Sequence, residues 1–307
     1  MGYSYEAEYR DEYLVDETHK RIWAIEINIL KEIMRICEKH NIPYFVYGGT
    51  LLGAARHRGF IPWDDDMDVA MLRKDYELFL EKADAELDQG RFCLQKSEVY
   101  GEIYEGFSRI RDNNSTAIIY RDRNKQCNHG IFVDIFPLDN IPEQLWKQKI
   151  QFLKIKILNA LIFYHVYAEE DLNHLMLKKL VGSIRNVKVW KGVIRKLKKE
   201  CMRYNKCGCS IVGILSCAPY DKTCYWYLSD IEQTMDMEFE DLYVKVPVGY
   251  DRCLTIAYGN WREFPPVEER GKWHQNIYFD PYKPYTVYAD GENMDELFEK
   301  GDGHVPR

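Results

Sequence analysis

The stretch YGGTLLGAARHRGFIPWDDDMDVAM, from Tyr47 to Met71, constrains the fold more than any other part of this 307-residue chain. An apolar run at Tyr44 to Tyr47 ends in Gly48-Gly49-Thr50, and a helix-forming run to His57 begins at once, the pattern of a short buried strand feeding a helix. Two glycines at such a junction accept unusual dihedrals and let backbone N–H groups approach a ligand, while the helix adds its positive end. Four carboxylates then fall within five residues, at Asp64, Asp65, Asp66 and Asp68. Asp66 and Asp68 are two apart, so on a strand covering Met67 to Leu72 and its approach they project from one face, roughly 7 Å apart. Acids so spaced can grip one divalent metal or a metal pair. Asp64 and Asp65 precede the strand; they cap the turn, pair with Arg56 or Arg58, or touch metal through water.

A third carboxylate is wanted, and Asp134 in FVDIF is the best-placed candidate, with apolar neighbours on both sides. An acid in a buried-looking strand costs stability unless it is paired, so Asp134 either faces a site or makes an ion pair with Arg109 or Arg121. Magnesium prefers oxygen ligands and shares them with substrate phosphates, and a pair of ions can stabilise both the attacking and the departing oxygen of a displacement. Gly-Gly-Thr with three acids therefore points to phosphoryl or nucleotidyl transfer on Mg²⁺, two ions being the expected number and Mn²⁺ the alternative metal.

The rest of the chain reads as a mixed α/β order. Ile22, Ile25, Ile29, Ile33 and Ile36 recur every three to four residues and predict a long helix from Glu17 to His40. A helix over Lys74 to Leu87 and a strand at Phe92 to Gln95 follow. FSRIRD and TAIIYR predict a hairpin around Asn113-Asn114, and GIFVDIFPLD predicts a strand closed by Pro137. From Glu143 to about Asn205 the pattern is helical; the last hundred residues return to strands, turns and one helix around Tyr250 to Tyr258. The expected architecture is α/β (α+β): a mixed-sheet core flanked by helices at 1–142, a basic helical insertion at 143–206, and a C-terminal segment at 207–307 that completes the active site.

Charge separates these parts. The chain carries net −7, yet Trp146 to Lys206 holds 15 Lys/Arg against four acids. As a cationic surface with apolar residues interleaved, this block suits an anionic membrane; the plainer alternative is helix packing with a solvated basic face. Overall acidity and the lack of a stacking motif argue against nucleic acid. Nine scattered cysteines and no signal-like opening fit a reducing cytoplasm. Cys201, Cys207, Cys209, Cys217 and Cys224 lack paired knuckles, so small thiols are favoured over structural zinc. No apolar run is long enough for a transmembrane helix.

Tyr47 to Met71, GIFVDIFPLD from Gly130 to Asp139, and YGNWREFPPVEERGKWH from Tyr258 to His274 together resemble the LicD family. That family has the nucleotidyltransferase fold and includes bacterial phosphocholine transferases and the fukutin-related proteins. Gly48, Gly49, Asp66, Asp68 and Asp134 match the superfamily pattern in order; Trp273 departs from it, standing where a small residue or a histidine is expected. The resemblance implies transfer of a phospho-alcohol, most often phosphocholine, from a CDP-linked donor to a hydroxyl of a cell-surface glycan, a lipid-linked glycan or a teichoic acid precursor, with CMP released. With the cysteine usage and the basic block, the expected location is cytoplasmic, peripheral at the inner face of the cell membrane. True nucleotidyl transfer and a non-catalytic binding module are the alternatives.

On this expectation Asp66, Asp68 and Asp134 bind metal, Gly48, Gly49 and Thr50 hold the donor pyrophosphate, and Asp134 is also a candidate for the acceptor's proton. Arg56 and Arg109 are candidate phosphate clamps; Arg111, on the same strand face as Arg109, either shares that role or is merely solvated. Arg270 and His274, four apart, would share one face of a helical turn and reach phosphate or acceptor. Trp63 and Trp261 either wall an alcohol pocket or pack in the core.

Overall fold

The structure is a computed structural model that describes residues 4–96, 105–166, 187–217, 221–271, 276–289 and 297–298. A hairpin of β1 (Glu8–Arg10) and β2 (Tyr13–Val15) leads into α1 (Glu17–His40), which starts where Asp16 accepts from the His19 N–H and stops at Asn41 in the left-handed region. Ile22, Ile29, Ile33 and Ile36 are buried along its inner face.

The central sheet uses β3 (Phe45–Val46), β4 (Asp68–Leu72), β5 (Phe92–Gln95), β6 (Ser108–Asp112) and β8 (Phe132–Ile141), with β9 (Ile211–Gly213) and β10 (Tyr225–Tyr227) joining beyond. β8 is its longest member. One edge of β8 runs parallel to β4; the other pairs antiparallel with β6 along its first half and with β9 along its last residues. α2 (Gly48–His57) connects β3 to β4, and α3 (Arg73–Glu86) follows β4 directly. The alternation places Val69 and Met71 of β4, with Val133 and Ile135 of β8, on the face that meets α1 and α3. Asp68, Asp134 and Phe136 project from the other face.

Two local expectations fail. β6 and β7 (Thr116–Ile119) do not form a hairpin: β6 pairs with β5 and β8, whereas β7 pairs with β13 (Ile277–Asp280) in a separate ribbon. Asp112 Oδ1 accepts the Asn114 N–H in the turn, and the chain leaves the sheet there. Pro137 does not close β8 but lies inside it, opposite Met71. The Asp134 N–H donates to Met67 O on the β4 side, so Pro137 turns its nitrogen to the other flank, where β6 has ended at Ile135 and β9 starts only at Asp139. A missing N–H costs nothing in that gap.

The basic block forms α4 (Leu145–Val166) and α5 (Val187–Cys201), packed on each other between β8 and β9 through Phe152, Ile155, Ile162, Ile194 and Leu197. The C-terminal part adds α6 (Leu228–Ile231), the hairpin β11 (Thr234–Phe239) with β12 (Leu242–Pro247), α7 (Tyr250–Tyr258) and α8 (Thr286–Ala289). Among the described residues no helix is long and apolar enough to cross a membrane.

Candidate active site

The sheet brings Asp68 and Asp134 side by side, since the parallel register of β4 and β8 pairs them directly. β4 begins at Asp68, so Asp66 stands just before the strand in the segment that carries Asp64 and Asp65. That segment is clamped to α1: the Asp64 carbonyl accepts from His19 Nε2 at 3.0 Å and from Trp23 Nε1 at 2.9 Å. Asp64 and Asp65 therefore shape the turn, and neither pairs with Arg56 or Arg58.

α2 starts two residues earlier than its sequence pattern suggests, at Gly48, whose φ is +56°. A Cβ on Gly48 would stand 2.7 Å from Asp68 Oδ2, and one on Gly49 would stand 2.5 Å from Asp64 Oδ2. The glycines thus let two carboxylates close on the helix N-terminus, where the macrodipole favours negative charge. Thr50 adds a strut, its Oγ1 accepting the Asp68 N–H at 2.8 Å.

Asp134 faces Arg109 across β6 and β8, and both are buried. Arg109 Nε donates to Oδ1 at 2.5 Å and Nη2 to Oδ2 at 3.2 Å, so the ion pair with Arg109 is real. It does not use the whole guanidinium. Among the described residues Arg109 Nη1 is buried with no hydrogen-bond partner, and it pairs loosely with Glu105 at 3.7 Å. Burial alone would lower the Arg109 pKa, but the Asp134 and Glu105 charges outweigh it and hold the guanidinium protonated. Arg111 shares that face but is not solvated: it is 1% exposed and donates to Gln95 Oε1 and the Gly130 carbonyl. Burial, and next the Arg109 charge, bring its pKa down to about 10.

Two further groups report the field of the acids. Glu26 of α1 is 1% exposed, and among the described residues its Oε2 has no hydrogen-bond partner. Burial, then Asp66, Asp65, Asp64 and Asp68, push its carboxyl well above the usual range. Tyr258 at the end of α7 has its phenol pushed up by desolvation, then by Asp64, Asp68 and Asp66. Neither residue belongs to the predicted set. A signal for Glu26 was present, since it interrupts the apolar stripe between Ile22 and Leu30.

The donor atoms gathered here are all oxygens, and the crowded negative charge would repel a phosphate unless a hard cation lay between; the residues present therefore fit Mg²⁺ or Mn²⁺. Among the described residues no three of the acids converge in ligating geometry as they stand, with Asp134 turned to Arg109.

The remaining predicted residues sit elsewhere. Arg56 Nη1 donates to the carbonyls of Trp261 and Glu263 at 2.9 and 3.0 Å, and Arg270 donates to the carbonyls of Pro265 and Asp11 at 3.1 and 3.0 Å. Both stack on Phe264, and Arg270 also covers Trp63. They fasten the C-terminal loop to α2 and the N-terminal hairpin. The helical turn ends at Glu269 and Arg270 is extended; His274, its expected partner on a shared face, lies outside the described residues. Trp63 and Trp261 are buried in the core. The aromatic wall beside the acids comes from other residues: Phe136 shares the face of Asp134, with Phe107 at 4.5 Å and Tyr47 at 5.7 Å between ring centroids, and Tyr47 meets Trp226 at 4.6 Å. Phe107 and Phe136 are half-buried, which leaves them accessible. In the cysteine group Cys201 and Cys209 are buried, while Cys207 and Cys217 are exposed.

Residues 41–163 match the LicD/FKTN/FKRP nucleotidyltransferase domain. Over 255 residues the chain is 27% identical to the lipopolysaccharide cholinephosphotransferase LicD of Haemophilus influenzae, covering 81% of this chain and 92% of that protein. Over 76 residues it is 33% identical to the ribitol 5-phosphate transferase FKRP of Homo sapiens, 24% of this chain and 15% of that protein, and equally to FKRP of Mus musculus. The domain match contains Gly48 to Thr50, Asp66, Asp68, Arg109 and Asp134, the residues that the sheet draws together. Residues 41–163 thus carry a LicD-type nucleotidyltransferase domain on a mixed α/β core, and the chain is a LicD-type phosphotransferase.

Proposed function

We propose that this protein transfers phosphocholine from CDP-choline to a hydroxyl of a cell-surface glycan or teichoic acid precursor, releasing CMP. The in-register pair Asp68 and Asp134 beneath the Gly48-Gly49 helix start carries the proposal. Asp66, Asp68 and Asp134 would hold Mg²⁺, which would supply charge neutralisation for the phosphate groups of donor and leaving group. The α2 N-terminus directs its free N–H groups at the donor phosphates. Arg109, whose Nη1 makes no hydrogen bond among the described residues, has a donor ready for a phosphate oxygen. The acceptor hydroxyl oxygen bonds to the phosphorus of the phosphocholine group, the phosphoanhydride bond to CMP breaks, and the hydroxyl proton passes to a nearby carboxylate. Such a reaction depends mainly on positioning and on neutralising charge, which fixed acids and a buried arginine supply.

The half-buried Phe107 and Phe136, backed by Tyr47, favour choline over ribitol or glycerol, because aromatic faces attract a quaternary ammonium. The relative from Haemophilus influenzae, named a cholinephosphotransferase, supports the same choice. The work is assigned to the cytoplasmic side, where CDP-linked donors and lipid-linked acceptors meet. A thermal-shift comparison of CDP-choline, CDP-ribitol, CDP-glycerol and CTP, each with Mg²⁺, tests the donor. The largest rise is expected with CDP-choline; a rise with CTP alone would favour nucleotidyl transfer.

A further inference from the structure

α4 is apolar on two opposite sides. Its inner side, with Phe152, Ile155 and Ile162, packs against α5. Its outer side shows Trp146, Ile150, Leu153 and Ile157, which are 62%, 47%, 56% and 52% exposed. At about 100° per residue these four fall within about 60° of arc, facing away from Ile155. Lysines border the stripe on both sides: Lys149 and Lys156 along one edge, Lys147 and Lys154 along the other. Soluble surfaces rarely show a contiguous apolar stripe of this kind without a partner.

α5 continues the positive charge. Arg195, Lys198, Lys199 and Arg203, with Met202, line a cleft of about 760 Å³. The cleft lies beside the N-terminal half of the stripe, because Gln151 of α4 donates to the Glu200 carbonyl at 2.9 Å and Lys154 pairs with Glu200 at 4.0 Å. Farther along α4, Asn159 donates to the Ser216 carbonyl, and Ser216 lies against Gly106, next to Phe107 of the candidate site. One helix therefore borders both the outer stripe and the site.

We propose that the outward stripe of α4 is the membrane-docking face of this protein: Trp146, Ile150, Leu153 and Ile157 enter the headgroup–acyl boundary of an anionic bilayer while the flanking lysines and the α5 cleft engage lipid phosphates. An apolar stripe rimmed by lysines on both sides is the complement of a negatively charged lipid surface, because long lysine stems reach up to the headgroups while the stripe sinks in. This differs from docking through basic charge alone, since it assigns the anchoring to exposed apolar residues on α4. It does not depend on which alcohol the enzyme transfers.

Vesicle flotation of the full chain tests it, using phosphatidylcholine vesicles with and without phosphatidylglycerol. Wild type should bind the anionic vesicles and fall off as salt rises. Leu153→Glu with Ile157→Glu should lower the bound fraction about tenfold, with circular dichroism, melting temperature and CMP release from soluble donor unchanged. Lys149→Glu with Lys154→Glu should weaken binding on anionic vesicles only. Wild type that ignores anionic vesicles overturns the proposal, as does a Leu153→Glu, Ile157→Glu variant that binds as wild type does. So does a concentration-dependent dimer that this variant disrupts with no change in vesicle binding, which would make the stripe a protein–protein face. Loss of CMP release in the same variant, with vesicle binding lowered as expected, would count against the placement of the site while supporting the docking face.

Discussion

β8 carries two buried aspartate–arginine pairs five residues apart, and they differ in what they leave unfinished. Asp139 is 0% exposed and takes Arg73 Nε and Nη2 at 3.0 and 2.6 Å, with Asn205 Nδ2 adding a third bond at 2.7 Å. Arg73 also reaches Glu77, so the pair is closed beneath α3. Asp134, on the opposite face, is held among the described residues by Arg109, which keeps one buried donor short of a hydrogen bond, with Glu105 3.7 Å away. A saturated pair is a structural tie; an unsaturated one beside four more acids has room for a ligand. Odd and even positions on one strand thus separate fold from chemistry.

The largest expected effect breaks the open pair. Asp134→Asn keeps the shape of the side chain but removes a proposed metal ligand, and steady-state transfer at saturating Mg²⁺ should fall about a thousandfold. Its melting temperature should fall only modestly, because Arg109 can still donate to the amide oxygen and keeps the Glu105 charge nearby. The closed pair should respond the other way. Asp139→Ala strands Arg73 in the core and should destabilise the protein by about 3–5 kcal/mol in a denaturant titration, while turnover per folded molecule changes little.

A smaller effect sharpens the electrostatic side of the comparison. Glu26 keeps its proton well above the ordinary carboxylate range when folded, whereas the unfolded chain releases it near 4.5. Folding therefore takes up a proton, and stability from this group is present below about pH 4.5 and is lost as pH rises through the raised folded value. In metal-free protein Glu26→Gln should raise the melting temperature at pH 8, with the gain shrinking toward pH 5; every tenfold difference in proton affinity between the folded and unfolded chain corresponds to about 1.4 kcal/mol. A difference that is flat with pH would show that Glu26 is not held neutral. The smallest effect is at the wall: Phe107→Ala should raise KM for CDP-choline about threefold to tenfold through loss of a cation–π face, with stability and the KM for CDP-glycerol unchanged.

Local pattern carried much of the fold. α1, β5 and α7 stand where periodicity and turn residues place them, because each is decided by contacts close in sequence. The double glycine and the acids also announced themselves, since few backbones need that spacing. What escaped was long-range. Nothing near Asn113 says that β7 pairs with a strand more than 150 residues on instead of with β6. Arg56 and Arg270 look like phosphate ligands by type, but they donate to backbone carbonyls, which no residue pattern encodes. The aromatic wall joins residues 47, 107, 136 and 226 only because three strands and the Tyr47 turn converge. Arg109 as the partner of Asp134 was one of two open choices, and the register of β6 on β8 decided it.

The most direct test of the central claim is product analysis with CDP-choline, Mg²⁺ and a panel of choline-free teichoic acid and lipopolysaccharide acceptors. Wild type should release CMP in step with phosphocholine gained by an acceptor, lose the reaction on chelation of Mg²⁺, and lose it likewise in Asp134→Asn. Release of pyrophosphate in place of CMP, or CMP release in folded Asp134→Asn at the wild-type rate, would contradict it.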